Sequence, residues 1–165
     1  MAEHPFQLLL AQHYVRAHGA ALGFMRNEQE ARETAHDALL KAWQARDRYD
    51  ETRPFYPWLY RIIRNTCFDA LARRQHRAVP GLDAERVSDD SRSTEELVEA
   101  SRDVTRLSRA MDTLEPAQQD VLNLRHFQGL SYAEIAQLLE VPEGTVMSRL
   151  YRARKALAAA FEEAR

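Results

Sequence analysis

Apolar residues recur at helical spacing along nearly the whole chain, and no stretch alternates with period two between turn signals, so the sequence specifies helices and no sheet. Phe6, Leu9, Leu10, His13, Tyr14 and Ala17 mark one face of a first helix continuing to about residue 25. A second is expected over about 27–46, with Ala31, Ala35, Ala38, Leu39, Ala42 and Trp43 turned inward. Asp50, Thr52, Pro54 and Pro57 then form a turn-rich loop, whose prolines suit the first turn of a new helix because an N–H missing there costs little. That third helix should run over about 55–76, with Leu59, Ile62, Ile63, Thr66, Ala70 and Leu71 as its inner stripe.

The pattern fails over residues 78–93, where Pro80, Gly81, Asp83 and the run from Ser88 to Ser93 leave too few large apolar groups to offset chain-ordering entropy. It resumes near Thr94. The expected architecture is all-α: a three-helix domain over 1–77, a flexible linker over 78–93 and a second helical domain over 94–165. Charge segregates along the same lines. Overall, 23 basic residues nearly balance 25 acidic ones, but Arg53, Arg61, Arg64, Arg73, Arg74 and Arg77 face only Asp69 in their segment. Residues 83–103 are mainly acidic, and Arg149, Arg152, Arg154 and Lys155 turn the tail basic again. Two basic patches flanking an acidic connector suit a polyanion gripped at two separate places.

Other chemistries lack their supports. Cys67 is the one cysteine, and the six histidines are scattered, so neither a disulfide framework nor a metal site is expected. The sequence has no phosphate-binding GxxxxGK[ST], no dinucleotide GxGxxG and no GxSxG nucleophile turn. Glu33 and Asp37 stand at i and i+4, but such a pair is usually a solvated helix face. The expectation is a non-enzyme with no cofactor and no small-molecule substrate. With no leader pattern and no apolar run near the roughly 20 residues that cross a bilayer, membrane insertion is not expected and a cytoplasmic location is.

Ser131-Tyr132-Ala133-Glu134 reads as a capping box, in which the serine oxygen accepts from the third amide and the glutamate reaches back to the cap. Ile135, Leu138 and Leu139 follow as a buried face, and Glu140-Val141-Pro142 turn the chain into a helix from about Glu143. This is helix-turn-helix spacing, over about 131–151. On the last helix Val146, Leu150, Ala153 and Leu157 face inward, which sets Thr145, Ser148, Arg149 and Arg152 on the opposite side. Small polar groups near a helix start, followed by arginines, suit a recognition helix. An ordinary helical hairpin with a solvated basic face fits the pattern alone too.

From Leu114 to Leu157, the stretch LEPAQQDVLNLRHFQGLSYAEIAQLLEVPEGTVMSRLYRARKAL resembles region 4 of the extracytoplasmic-function sigma factors. The resemblance implies that Thr145, Met147, Ser148, Arg149, Tyr151 and Arg152 read a minus-35 promoter element. Met147 stands where that family often has lysine or arginine, and Glu140 where glycine is frequent, which would carry a backbone cost if φ there is positive.

Phe55 to Thr66, FYPWLYRIIRNT, interleaves aromatic rings with arginines, offering π-faces for unstacked bases beside cations for the backbone. Any single aromatic there serves equally well as core packing. ARETAHDALLKAW and PFYPWLYRIIRNTCFDALARR resemble region 2 of the same family. By that resemblance Glu33, His36, Asp37, Leu40 and Lys41 dock on core RNA polymerase. Phe55, Tyr56, Trp58, Arg61, Arg64, Asn65, Arg73 and Arg74 would hold the melted minus-10 element, with the loop from Arg48 to Tyr56 around a flipped base. Arg32 and His36 depart from the usual acidic residue and glutamine. The acidic residues Asp83, Asp89 and Asp90 are either a solvated spacer or, by resemblance, a segment threading the polymerase channel. The implied function is promoter-specific initiation with core RNA polymerase and promoter DNA as partners, controlled by an anti-sigma factor. The alternatives are a sigma-like decoy for an anti-sigma factor and a conventional helix-turn-helix regulator.

Overall fold

The structure, a computed structural model, describes residues 5–77 and 94–164. The expected linker, with Asp83, Asp89 and Asp90, lies outside the described residues. Those described form helices α1 (Pro5–Met25), α2 (Glu28–Gln44), α3 (Phe55–Arg77), α4 (Thr94–Asp112), α5 (Pro116–Leu122), α6 (Tyr132–Leu139) and α7 (Glu143–Glu163). A short 3-10 turn, Arg46–Arg48, follows α2, and a π turn, Asn123–Phe127, follows α5.

Local sequence explains most of these boundaries. Asn27 caps α2, its side-chain oxygen accepting from the Glu30 amide at 2.9 Å, while Glu28 and Glu30 place negative charge at the positive end of the helix dipole. Ala31, Ala35, Ala38 and Ala42 are all fully buried, and this stripe of small residues lets α2 approach α1 and α3 closely. Asp50 holds the following loop by accepting from the amide and hydroxyl of Thr52 at 3.0 and 2.6 Å. In the second half, Pro116 opens α5 and Ser131 caps α6 through the expected box: the Ser131 amide donates to Glu134 at 2.7 Å and Ser131 Oγ accepts from the Glu134 amide at 3.2 Å.

The inner face of α3 is rotated from the expected stripe. Leu59, Ile63, Thr66 and Leu71 are buried as anticipated, but Ile62 and Ala70 are only partly covered, while Tyr60 and Cys67 are fully buried. Burial in apolar surroundings pushes the Cys67 thiol up to about 12. The rotation has a tertiary cause: α3 is covered on one side by α1 and α2, and on another by the second half of the chain. The same is true of α1, whose inner residues Ala17, Ala20, Ala21, Gly23, Phe24 and Met25 lie toward its carboxyl end, which packs on the π turn. One contiguous apolar cluster therefore runs from Phe6 through Ile63 to Val121, Leu124, Ile135 and Leu150. The two helical units are docked on one another.

Candidate nucleic-acid and protein interfaces

On α7, Val146, Leu150 and Ala153 are buried against α5 and α6, with Leu157 partly covered. This rotation leaves Met147, Ser148, Tyr151 and Arg152 exposed, Met147 by 54% and Tyr151 by 68%. Thr145 is half-buried. Arg149 is half-buried as well and lies in the electrostatic field of Asp120, so of the two arginines Arg152 is the one turned fully outward. The turn before α7 depends on Glu140, whose backbone is left-handed at φ 55° and ψ 45°, the geometry for which glycine is better suited. Its carboxylate stands 2.9 Å from Arg61 Nη2 and 3.9 Å from Arg53 Nη1.

The aromatic and basic run on α3 divides between core and surface. Phe55 is buried at the centre of a ring cluster, edge-on to Phe6 at 5.5 Å and to Tyr49 at 5.2 Å, so it is a core residue here rather than part of the exposed face. Trp58 is half-buried in the same cluster. Tyr56 is also buried, under the Arg16 guanidinium at 3.5 Å, and its hydroxyl donates to Gln128 Oε1 at 2.7 Å. Burial pushes that phenol up to about 12 despite the pull of Arg16. Arg61, Asn65 and Arg73 are exposed, while Arg64 and Arg74 are half-buried and reach across to the second half. Arg64 Nη1 is 3.1 Å from Asp120 Oδ2, and Tyr60 donates to Asp120 Oδ1 at 2.5 Å. Burial raises the carboxyl of Asp120, against the opposing pull of Tyr60, Arg64 and Arg149. Arg74 pairs with Glu30 at 3.1 Å and with Asp112 at 3.4 Å.

A third surface lies on α2, where Glu33, His36, Asp37, Leu40 and Lys41 share one exposed strip at spacings of three and four residues. Leu40 is 57% exposed, an apolar group amid charges. Among the described residues no cluster of three or more histidines, cysteines, aspartates or glutamates could hold a metal ion, and no helix is long and apolar enough to cross a membrane.

Residues 9–77 match the sigma-70 region 2 family and residues 105–157 match sigma-70 region 4. The RNA polymerase sigma-H factor of Pseudomonas aeruginosa is 33% identical, over 95% of this chain and 86% of that protein. The ECF RNA polymerase sigma-E factor of Escherichia coli is 32% identical, over 76% of this chain and 70% of its own length. The chain belongs to the extracytoplasmic-function sigma factor family. Among solved structures it is similar to CnrH in complex with the cytosolic domain of CnrY, with a TM-score of 0.60 and 28% identity over 96% of this chain and 88% of that one. The sigma factor RpoE bound to the anti-sigma factor NepR, from Bartonella quintana, shares the fold at a TM-score of 0.61 and 24% identity, over 95% and 96% of the two chains.

Two features of this sigma factor escaped the sequence reading. One is an apolar groove between α4, the π turn and α7, where Val104, Leu107, Met111, Phe127, Leu157 and Phe161 line a surface that leaves Val104 57% and Phe127 52% exposed. Exposed apolar groups gathered in one groove mark a protein contact more often than an accident of folding. Their spacing along α4 was legible, but not that the π turn would bring Phe127 beside them. The other is the set of acidic residues, Asp112, Asp120 and Glu140, that meets the α3 arginines. Each is unremarkable in sequence, and only docking of the two units places them together.

Proposed function

We propose that this chain is a promoter-specificity subunit, which binds core RNA polymerase and directs initiation by reading a minus-35 element with α7 and holding a melted minus-10 element with α3. The observation that carries the reading is the α6-turn-α7 unit. A capping box and a left-handed residue at 140 present one polar and basic face of a helix whose other face is fully committed to the core. Such a helix start enters a major groove, with short side chains allowing backbone approach and guanidiniums reaching phosphates or guanine edges. In this reading Thr145, Met147, Ser148, Arg149, Tyr151 and Arg152 contact the minus-35 duplex. Trp58, Arg61, Arg64, Asn65, Arg73 and Arg74 serve the minus-10 strand, with the buried rings of Phe55 and Tyr56 supporting them from behind.

The α2 strip, Glu33, His36, Asp37, Leu40 and Lys41, docks on core polymerase. An anti-sigma factor is a further partner, supported by one complex of this fold, the sigma factor RpoE bound to the anti-sigma factor NepR. Run-off transcription with purified core polymerase on genomic fragments tests the reading: starts that depend on added protein and map to defined sequences are expected. Promoter binding without initiation would favour a conventional regulator, and anti-sigma capture with neither would favour a decoy.

A further inference from the structure

Of the 21 residues of α1, Arg16 is the one aspartate, glutamate, lysine or arginine. It stands one position before the fully buried Ala17 and turns toward α3, where its guanidinium carbon lies 3.5 Å from the centroid of the Tyr56 ring. That ring is held from other sides too. His13, one turn earlier on α1 and nearly parallel to the ring, is 6.0 Å away, and the Tyr56 hydroxyl donates to Gln128 Oε1. A buried ring held in this way is a rigid platform, so a guanidinium resting on it has less freedom to lose when it binds something else. Resting on a ring occupies the face of a guanidinium and leaves the N–H donors at its edge for an acceptor.

Arg16 also lines a cleft of about 740 Å³, with Arg48, Arg53 and Arg61 and the rings of Tyr49 and Trp58, which has room for a sugar-phosphate unit and its base. Arg53 and Arg61 are already paired with Glu140. Arg16 and Arg48 are exposed and, among the described residues, have no ion pair. Glu134 on α6 lies within electrostatic reach of Arg16, but its carboxylate accepts from the Ser131 amide at the helix cap. An exposed, unpaired guanidinium beside aromatic rings is the combination that binds the backbone of a single strand.

We infer that Arg16 of α1 binds a backbone phosphate of the single strand held along α3, with the buried Tyr56 ring as its platform. This rests on the reading of α3 as the minus-10 surface and extends that surface to a helix the sequence reading left out of it. Tyr56 thereby serves the strand through Arg16 rather than by stacking on a base. A side chain that merely covered Tyr56 would need length and bulk, whereas a phosphate ligand needs its positive charge. The two roles are separable.

Arg16→Gln removes the charge and leaves a side chain long enough to cover the ring, and Arg16→Lys keeps the charge without the planar stack. Holoenzyme is bound to a bubble template, opened over the minus-10 element of a promoter mapped by run-off transcription. For Arg16→Gln, binding is expected to weaken by roughly five- to tenfold, and the slope of log affinity against log salt to fall by about 0.7, the share of one single-strand phosphate. Arg16→Lys should keep the parental slope, and neither variant should change the slope on an isolated minus-35 duplex. Methylphosphonate linkages, each neutralising one phosphate of the open strand, locate the contact. At one linkage the substitution should weaken parental binding about as much as Arg16→Gln does, and add nothing to that variant. A parental slope for Arg16→Gln, a slope lost by Arg16→Lys, an equal fall on the minus-35 duplex, or effects that add at every linkage would each overturn the inference and leave Arg16 as a cover for Tyr56. Failure of the unmodified chain to initiate would instead remove the minus-10 reading itself, and the inference with it.

Discussion

A non-glycine residue in the left-handed region costs about 1 kcal/mol relative to glycine, and Arg26 and Glu140 both carry that cost. What each gains differs. The Glu140 carboxylate pairs with arginines that are half-exposed or more, where screening by solvent holds an ion pair to between zero and about 1 kcal/mol. The Arg26 side chain is 9% exposed, bonded to Asp112 and 3.1 Å from Ser108 Oγ, and removing one partner of a buried charge pair costs about 3–5 kcal/mol at full burial. Asp112 keeps Arg74, which reduces the loss. Glu140→Gly is therefore expected to leave stability unchanged or raise it by up to about 1 kcal/mol, whereas Arg26→Gly should lower it by about 2 kcal/mol. Urea unfolding of the two variants checks this, and equal effects of the same sign would mean that backbone strain, not the side-chain partners, governs both positions.

Helix α7 shows how one element divides its surface between folding and binding. Its apolar stripe at Val146, Leu150 and Ala153 leaves one outward strip, and on that strip Arg152 is exposed while Arg149 leans toward Asp120. The two arginines, equivalent by spacing, are no longer equivalent in the folded chain. Arg152→Ala should weaken minus-35 binding by about 1–3 kcal/mol if it reads a base edge, with helicity unchanged. Met147, exposed on the same strip, is placed for an added phosphate contact, so Met147→Arg should steepen the salt dependence of binding by about one ion. Mobility shifts of holoenzyme on a minus-35 duplex, titrated with salt, read both effects. An unchanged slope for Met147→Arg would turn that side chain away from the DNA backbone.

At the scale of the whole molecule, the docked halves share one core and unfolding should be cooperative across them. Both tryptophans, Trp43 and Trp58, lie in the first half, whereas far-ultraviolet circular dichroism reports helices in both. Coincident fluorescence and dichroism transitions in urea are expected for the parent, and separated transitions for Gly23→Leu, where the wedge at Asn123 uncouples the halves. Separated transitions in the parent would show that the seam contributes little to stability.

The sequence by itself determined most of the helices, the capping box at Ser131, the helix-turn-helix and the family, because periodicity, capping boxes and turn residues act over three to seven positions and need no distant partner. It marked Glu140 as a position of backbone cost for the same reason: a turn between two helices has few geometries. It could not show that Phe55 and Tyr56 would be buried, since an aromatic residue in an amphipathic run has equal claims on core and surface until the covering elements are in place. Nor could it pair Asp120 with Tyr60 and Arg64, or Asn123 with Ala20, across separations of 60, 56 and 103 residues. Those contacts depend on the close approach that Gly23 permits. Desolvation then turns separate charges into one buried network, and only the docking of the two halves supplies that burial.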